Sequence, residues 1–207
     1  SWRSKKPIIF RTTPQWFISM EKNNLKEKAI DSIEETSWIP AVAKNRIKTM
    51  IENRPDWCVS RQRAWGVPLT IFVNKKTGEP LRDEKVMERI IEDVKLRGSD
   101  VWLSEDPYKY LGDDKDPNDY YAVKDILDVW FDSGSSHAYV LEKEELKWPA
   151  DLYLEGTDQH RGFFQSSLLV ACGTRGKAPY KTVITHGFVL DGNGRKMSKS
   201  SGNVVNP

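Results

Sequence analysis

Two lysines three residues apart, Lys196 and Lys199, stand in the run Gly192-Asn193-Gly194-Arg195-Lys196-Met197-Ser198-Lys199-Ser200-Ser201-Gly202-Asn203. A loop of that composition can wrap a polyphosphate. The two ammonium groups supply point charges, and Ser198, Ser200 and free backbone N–H groups supply donors. Glycines at 192, 194 and 202 give the backbone freedom to close over a ligand and reopen. Asp191-Gly192-Asn193-Gly194 is also a good turn in its own right. Spacing alone therefore leaves a solvated basic hairpin equally open.

Three further sites carry polar residues where strands should end, which is where open α/β sheets bind ligands. In Glu155-Gly156-Thr157-Asp158-Gln159-His160-Arg161-Gly162 a carboxylate leaves a strand beside a glycine, able to accept from an amino group. The helix start that follows can meet an anion. Capping by Thr157 or Asp158 is expected in any case, but it does not explain a Glu, a Gln and a His in one turn. Trp130-Phe131-Asp132-Ser133-Gly134 sets an aromatic pair against a small polar turn. His186-Gly187-Phe188 leads into the lysine loop, and a glycine there lets a flat base approach the backbone. No hydroxyl has a base placed beside it by sequence, and there is no Walker loop. These residues position reactants and stabilise charge rather than attack.

The elements that must hold these residues follow from periodicity. Apolar residues at Leu25, Ala29, Ile30 and Ile33 predict a helix over 22–36, and a second runs from Val42 to Glu52, ended before Pro55. Asp83–Arg97 is a third amphipathic helix. Strands are expected at 7–11, 15–19, 57–59, 69–73, 126–131, 152–155 and 182–186. A helix from Gln159 to Cys172 joins the last two, and strand, helix, strand is a βαβ unit with a parallel sheet. The stretch 98–121 is acidic, Pro-interrupted and weakly patterned, and reads as an insertion outside the core.

With 207 residues, 38% of them hydrophobic, one core with a small added module fits. Thirty-two basic and 30 acidic side chains leave +2, too balanced to announce nucleic-acid binding. Eight Trp and seven Tyr exceed the needs of a core and suit a concave site. Cys58 and Cys172 sit in apolar or aromatic surroundings and are expected as reduced, buried thiols, with no disulfide partner. No membrane span or signal peptide is visible. The expectation is an intracellular, cytoplasmic protein without a membrane partner.

Lys196-Met197-Ser198-Lys199-Ser200 resembles the second ATP-binding motif of class I aminoacyl-tRNA synthetases. Longer blocks resemble the bacterial-type isoleucyl-tRNA synthetases: Trp2 to Phe17, Arg54-Pro55-Asp56-Trp57-Cys58-Val59-Ser60-Arg61-Gln62-Arg63-Ala64-Trp65-Gly66-Val67-Pro68, Leu127 to Ser135, Tyr153 to Gly162, and Thr185 to Asn203. The resemblance implies an α/β fold, the C-terminal half of a Rossmann-like catalytic core with a parallel sheet, flanking helices and a small insertion. It places a re-entry segment after an editing insertion at 1–68, a connective insertion at 69–124 and the second Rossmann half at 125–207. The implied reaction is activation of L-isoleucine by ATP to the adenylate, then transfer to tRNA(Ile), with Mg2+ arriving on the ATP.

By that resemblance Lys196 and Lys199 are catalytic, stabilising phosphate charge. His186, Gly187, Lys196, Met197, Ser198, Lys199 and Ser200 bind ATP. Glu155, Gly156, Asp158 and Gln159 hold the adenylate, with Trp130 and Phe163 lining the isoleucine pocket. Position 163 often carries Trp in the family and is Phe here. Ser1 and Ser4 stand where some relatives have metal-type ligands, so no metal site is expected. The family's first ATP motif, of His-Ile-Gly-His type, is not in this sequence. The expectation is that the chain alone does not form the adenylate.

Overall fold

The computed structural model describes residues 5–143 and 145–205. Its strands are β1 Phe17–Ile18, β2 Ser37–Ile39, β3 Trp57–Cys58, β4 Ser60–Arg61, β5 Phe72–Asn74, β6 Tyr120–Ala122, β7 Ile126–Leu127, β8 Ala150–Gly156 and β9 Tyr180–His186. Its α-helices are α1 Leu25–Glu35, α2 Val42–Glu52, α3 Glu84–Arg97, α4 Val101–Ser104, α5 Val129–Gly134 and α6 Phe163–Arg175. The chain forms two compact units. One holds the residues up to Ile18 together with Cys58–Leu127, and the other holds Ser19–Trp57 with Asp128 onward.

In the second unit β2, β9 and β8 make a parallel sheet in that order. The β8–α6–β9 passage is the βαβ unit expected from the alternation, since parallel neighbours need a crossover and α6 supplies it. Helix α6 buries Phe164 through Cys172 without a break and stops at Gly176, whose φ of 78° is left-handed. Helices α1 and α2 bury single stripes, Leu25, Ala29, Ser32 and Ile33 on one and Ala43, Ile47 and Ile51 on the other. Each fully buried isoleucine contributes about 1.5–3 kcal/mol. Strand β2 was not foreseen. Three residues are too few to show alternation, and Trp38 is fixed instead by its indole N–H, which donates to the Ile33 carbonyl at 2.9 Å.

The strand expected over 126–131 is corrected. Only Ile126–Leu127 is extended; Asp128 then caps α5, accepting from the Trp130 N–H at 3.2 Å. The apolar run misled because residues 129–131 meet α6 rather than a strand. At Gly134 a Cβ would stand 2.8 Å from the Ser166 carbonyl carbon, so only glycine allows the two helices to approach this closely.

In the other unit β5 and β6 pair antiparallel, as do β4 and β7. Asp83 caps α3 through the Val86 N–H. The expected strand at 7–11 is absent, and Ile9 and Phe10 are exposed. The weakly patterned stretch 98–121 contributes to this unit's core. Trp102, Tyr110 and Leu111 pack with Phe72, Val86 and Ile90, and the Trp102 indole donates to the Val123 carbonyl at 2.8 Å. Sparse aromatics, not periodicity, build that core.

Candidate active site

Strands β8 and β9 end level, with Glu155 opposite Thr185 and Gly156 opposite His186. The turn after one strand and the glycine after the other therefore share the carboxyl end of the sheet, where such folds bind ligands. The Asp158 side chain folds back over Gly156. A Cβ there would lie 2.6 Å from Asp158 Oδ1 and 3.9 Å from His186 Cε1. Both Glu155 and Asp158 are exposed, their carboxylates open to a ligand.

Residues Thr157–Arg161 form a 3₁₀ turn, and the α-helix begins only at Phe163, later than the expected Gln159. Gln159 spans the break by accepting the Phe163 N–H at 3.0 Å on its Oε1. The Trp130 ring lies over the same break. A Cβ on Gly162 would meet Gln159 Oε1 and Trp130 Cη2, each at 2.7 Å. Trp130 thus reaches the site from α5, not from a strand end. Phe163 stacks on Tyr153 at 5.1 Å and 6°. Burial raises the Tyr153 phenol above its ordinary value, with the Ser167 hydrogen bond acting against that, so the ring is neutral.

His160, grouped by sequence with ligand-facing residues, is instead buried beneath the turn. Its Nδ1 is 2.7 Å from the Thr157 carbonyl, and its ring stacks on Trp38 and meets Phe164 edge-on. Burial pushes its pKa down, so the ring is neutral and Nδ1 donates to that carbonyl. Arg46 on α2 donates to Thr157 Oγ1 at 3.0 Å and fixes the turn from the other side.

After β9, His186 and Gly187 are exposed. His186 Nδ1 is 2.7 Å from the Gly187 carbonyl, and nothing lies within 4 Å of where a Gly187 Cβ would be. That open space suits a flat ring. The lysine segment is a hairpin: the Met197 N–H donates to the Val189 carbonyl, and Gly194, with φ of 73°, closes the turn at Asp191. Asn203 ties its two ends, donating to Asp191 Oδ2 at 2.9 Å and accepting the Ser198 N–H at 3.0 Å. That amide bond, with the Arg195 and Asn193 N–H groups, holds the Asp191 carboxyl below its ordinary range. Ser198 caps a 3₁₀ turn over Lys199–Ser201, and its Oγ is 3.2 Å from that of Ser200. Lys196 Nζ sits over the Phe188 ring, and Lys199 is exposed. Neither lysine enters an ion pair among the described residues.

The structure thus brings Glu155, Gly156, Asp158, Gln159, His186 and Gly187 to one end of the sheet, flanked by Trp130 and Phe163. Sequence reading missed Gly162 as the meeting point of Gln159 and Trp130, and Asn203 as the hairpin's clasp. The only signal for either was a glycine or amide next to a motif. Among the described residues no group of three or more His, Cys, Asp or Glu is placed to hold a metal ion, and no helix is long and apolar enough to cross a membrane. Ser1 and Ser4 lie outside the described residues. Cys58 is half-buried and Cys172 buried; both are free thiols.

A parallel α/β sheet with carboxylates, an aromatic wall and a two-lysine loop at its carboxyl end matches one known protein class along nearly its whole length. Residues 3–207 match the family model described as tRNA synthetases class I (I, L, M and V), and the chain belongs to that family. Within it, the chain is 58% identical over 208 residues to an isoleucine–tRNA ligase of Pelagibacter ubique, covering 100% of this chain and 23% of that protein. It is likewise 58% identical to the isoleucine–tRNA ligase of Gluconobacter oxydans, with 100% and 22% covered, and 56% identical to that of Coxiella burnetii, with 100% and 22% covered. The chain spans less than a quarter of the length of these relatives. Its fold is similar to the crystal structure of Mycobacterium tuberculosis methionyl-tRNA synthetase bound by methionyl-adenylate, with a TM-score of 0.53, 19% identity, and 93% of this chain and 29% of that one covered.

Proposed function

We propose that this chain is the part of an isoleucine–tRNA ligase that holds isoleucyl-adenylate and the ATP phosphates. The observation that carries the reading is the register pairing of Gly156 with His186, which puts the carboxylate turn and the start of the lysine loop at one sheet end. Glu155 and Asp158 accept from the ammonium of isoleucine or the ribose of the nucleotide. Gln159 is directed to the ammonium or carbonyl, and Trp130 and Phe163 line the side-chain pocket. His186 and Gly187 frame adenine.

The amino-acid carboxylate attacks the α-phosphorus of ATP in line, and pyrophosphate leaves. Charge grows on the phosphate oxygens, and Lys196 and Lys199 neutralise it, with Met197, Ser198 and Ser200 supplying the loop's backbone and hydroxyl contacts. Mg2+ accompanies ATP as the counter-ion of its phosphates and needs no protein ligand from this chain. The activated isoleucine then passes to tRNA(Ile), in the cytoplasm.

The test is ATP–pyrophosphate exchange with isoleucine, valine and leucine in parallel, on this chain and on the full-length protein. Isoleucine-dependent exchange in the full-length protein alone supports both the specificity and the need for the rest of the catalytic core. Exchange driven by valine or leucine would move the specificity. Exchange by this chain at the rate of the full-length protein would overturn its proposed incompleteness.

A further inference from the structure

Helix α2 packs against the Thr157–Arg161 turn. There a cavity of about 390 Å³ is lined by Thr49, Met50, Asn53, Arg54, Arg161 and Gln165. Arg46, one turn earlier on α2, donates to Thr157 at the adjoining surface. Two guanidinium groups, Arg54 and Arg161, thus line one cavity, and among the described residues neither they nor Arg46 enter an ion pair with a carboxylate.

Arg54 is the unusual member. Its Nη1 donates to Oε1 of Gln165, itself only 4% exposed, and its guanidinium lies 5.4 Å from the Trp57 ring centre. Its Nε is buried with no hydrogen-bond partner. Burial pushes its pKa down, countered in part by the Asp128 charge. A desolvated guanidinium with an unused donor gains most from an anion that can be approached by a planar fork.

We propose that this cavity receives a backbone phosphate of the RNA substrate, bound by Arg161 at the rim and Arg54 at the back, with Arg46 beside them. The proposal rests on the reading of the chain as part of a tRNA ligase, and supplies a contact outside the adenylate site. A phosphate contact of this kind fixes the RNA's position without reading its sequence.

The test uses the full-length protein and a tRNA transcript, with binding titrated over a range of salt. Arg161→Gln, at an exposed side chain, is expected to weaken binding several-fold and to reduce the slope of log K against log salt by roughly 0.7–0.9. Isoleucine-dependent pyrophosphate exchange serves as the control and is expected to persist. Arg54→Lys, which keeps the charge and loses the fork, is expected to weaken binding in the same direction. Unchanged affinity and slope for Arg161→Gln would overturn the proposal. So would a raised KM for ATP with RNA binding intact, which would mark a site for free nucleotide phosphate. Loss of exchange in the unaltered protein would fail the functional reading instead, with the RNA titration still deciding this one.

Discussion

The Lys196 ammonium lies 3.5 Å from the centre of the Phe188 ring. At an exposed site such a contact is worth about 0.5–1 kcal/mol. The contact holds the lysine on an aromatic face, and in the proposed role it would exchange that face for a phosphate. Phe188→Leu in the full-length protein should lower the KM for ATP by up to about fivefold, since 1.4 kcal/mol is tenfold. A higher KM would show that the ring contributes more to holding the base than to holding the lysine.

Lys199 carries no such contact and is expected to act chiefly in the transition state. Lys199→Ala should reduce isoleucine activation by about two to three orders of magnitude, the scale of removing one charge-stabilising donor. Pyrophosphate exchange measures it. A defect limited to tRNA binding would contradict the role.

Gly134 and Gly162 separate fold from site. A Cβ at Gly134 would press on the Ser166 backbone, which cannot rotate away, so Gly134→Ala should destabilise the protein by about 1–3 kcal/mol and lower its Tm. A Cβ at Gly162 would press on two side chains, Gln159 and Trp130. These can move, so Gly162→Ala should raise the KM for isoleucine more than it lowers Tm. Equal Tm losses for both variants would refute the distinction.

His137 and His160 are both wholly buried, and burial holds both below the ordinary 6.5. The unfolded chain then binds more protons than the folded one once pH falls below about 6.5. Their contribution to stability is complete above that pH and declines on acidification toward the lower folded-state values. Tm should fall between pH 7.5 and pH 5, and the fall should be smaller in His137→Gln. An unchanged pH slope in that variant would remove His137 from the account.

Asp191 works with the opposite sign. Its folded value is below the ordinary carboxylate value of about 3.9, so the hairpin's clasp is intact at neutral pH and loosens only as strong acid protonates it. Asn203→Ala removes the largest cause of the shift. An NMR titration of Asp191 in that variant should move toward the ordinary value.

The βαβ unit, the amphipathic helices and the lysine loop were legible in the sequence because each rests on local spacing: Ala43, Ile47 and Ile51 need only helical period, and Asp191 to Gly194 only turn chemistry. What was not legible depends on distant partners. Residues 129–131 are an apolar run that reads as a strand, yet they pack as a helix against α6 across from Gly134. Trp102 and Tyr110 lie in a segment with no period and become core because Phe72 meets them from elsewhere in the chain. His160 shares a turn with Asp158 and Gln159, and the positions of Trp38 and Phe164 turn it inward.

The pairing of Ser37 with Thr182 sets a timetable for biosynthesis. The two residues are separated by 145 positions, and at about 5–20 residues per second that interval takes roughly 7–30 s on the ribosome. Through that time β2 has been made and β9, its strand neighbour among the described residues, has not. Helices α1 and α2 can form in that interval from local contacts, but the sheet end that carries Glu155 and His186 is completed only after β9 is made. The nascent chain must keep Trp38 and Ile39 from pairing elsewhere until β9 emerges, so a chaperone that recognises short apolar segments would find its target here throughout that interval.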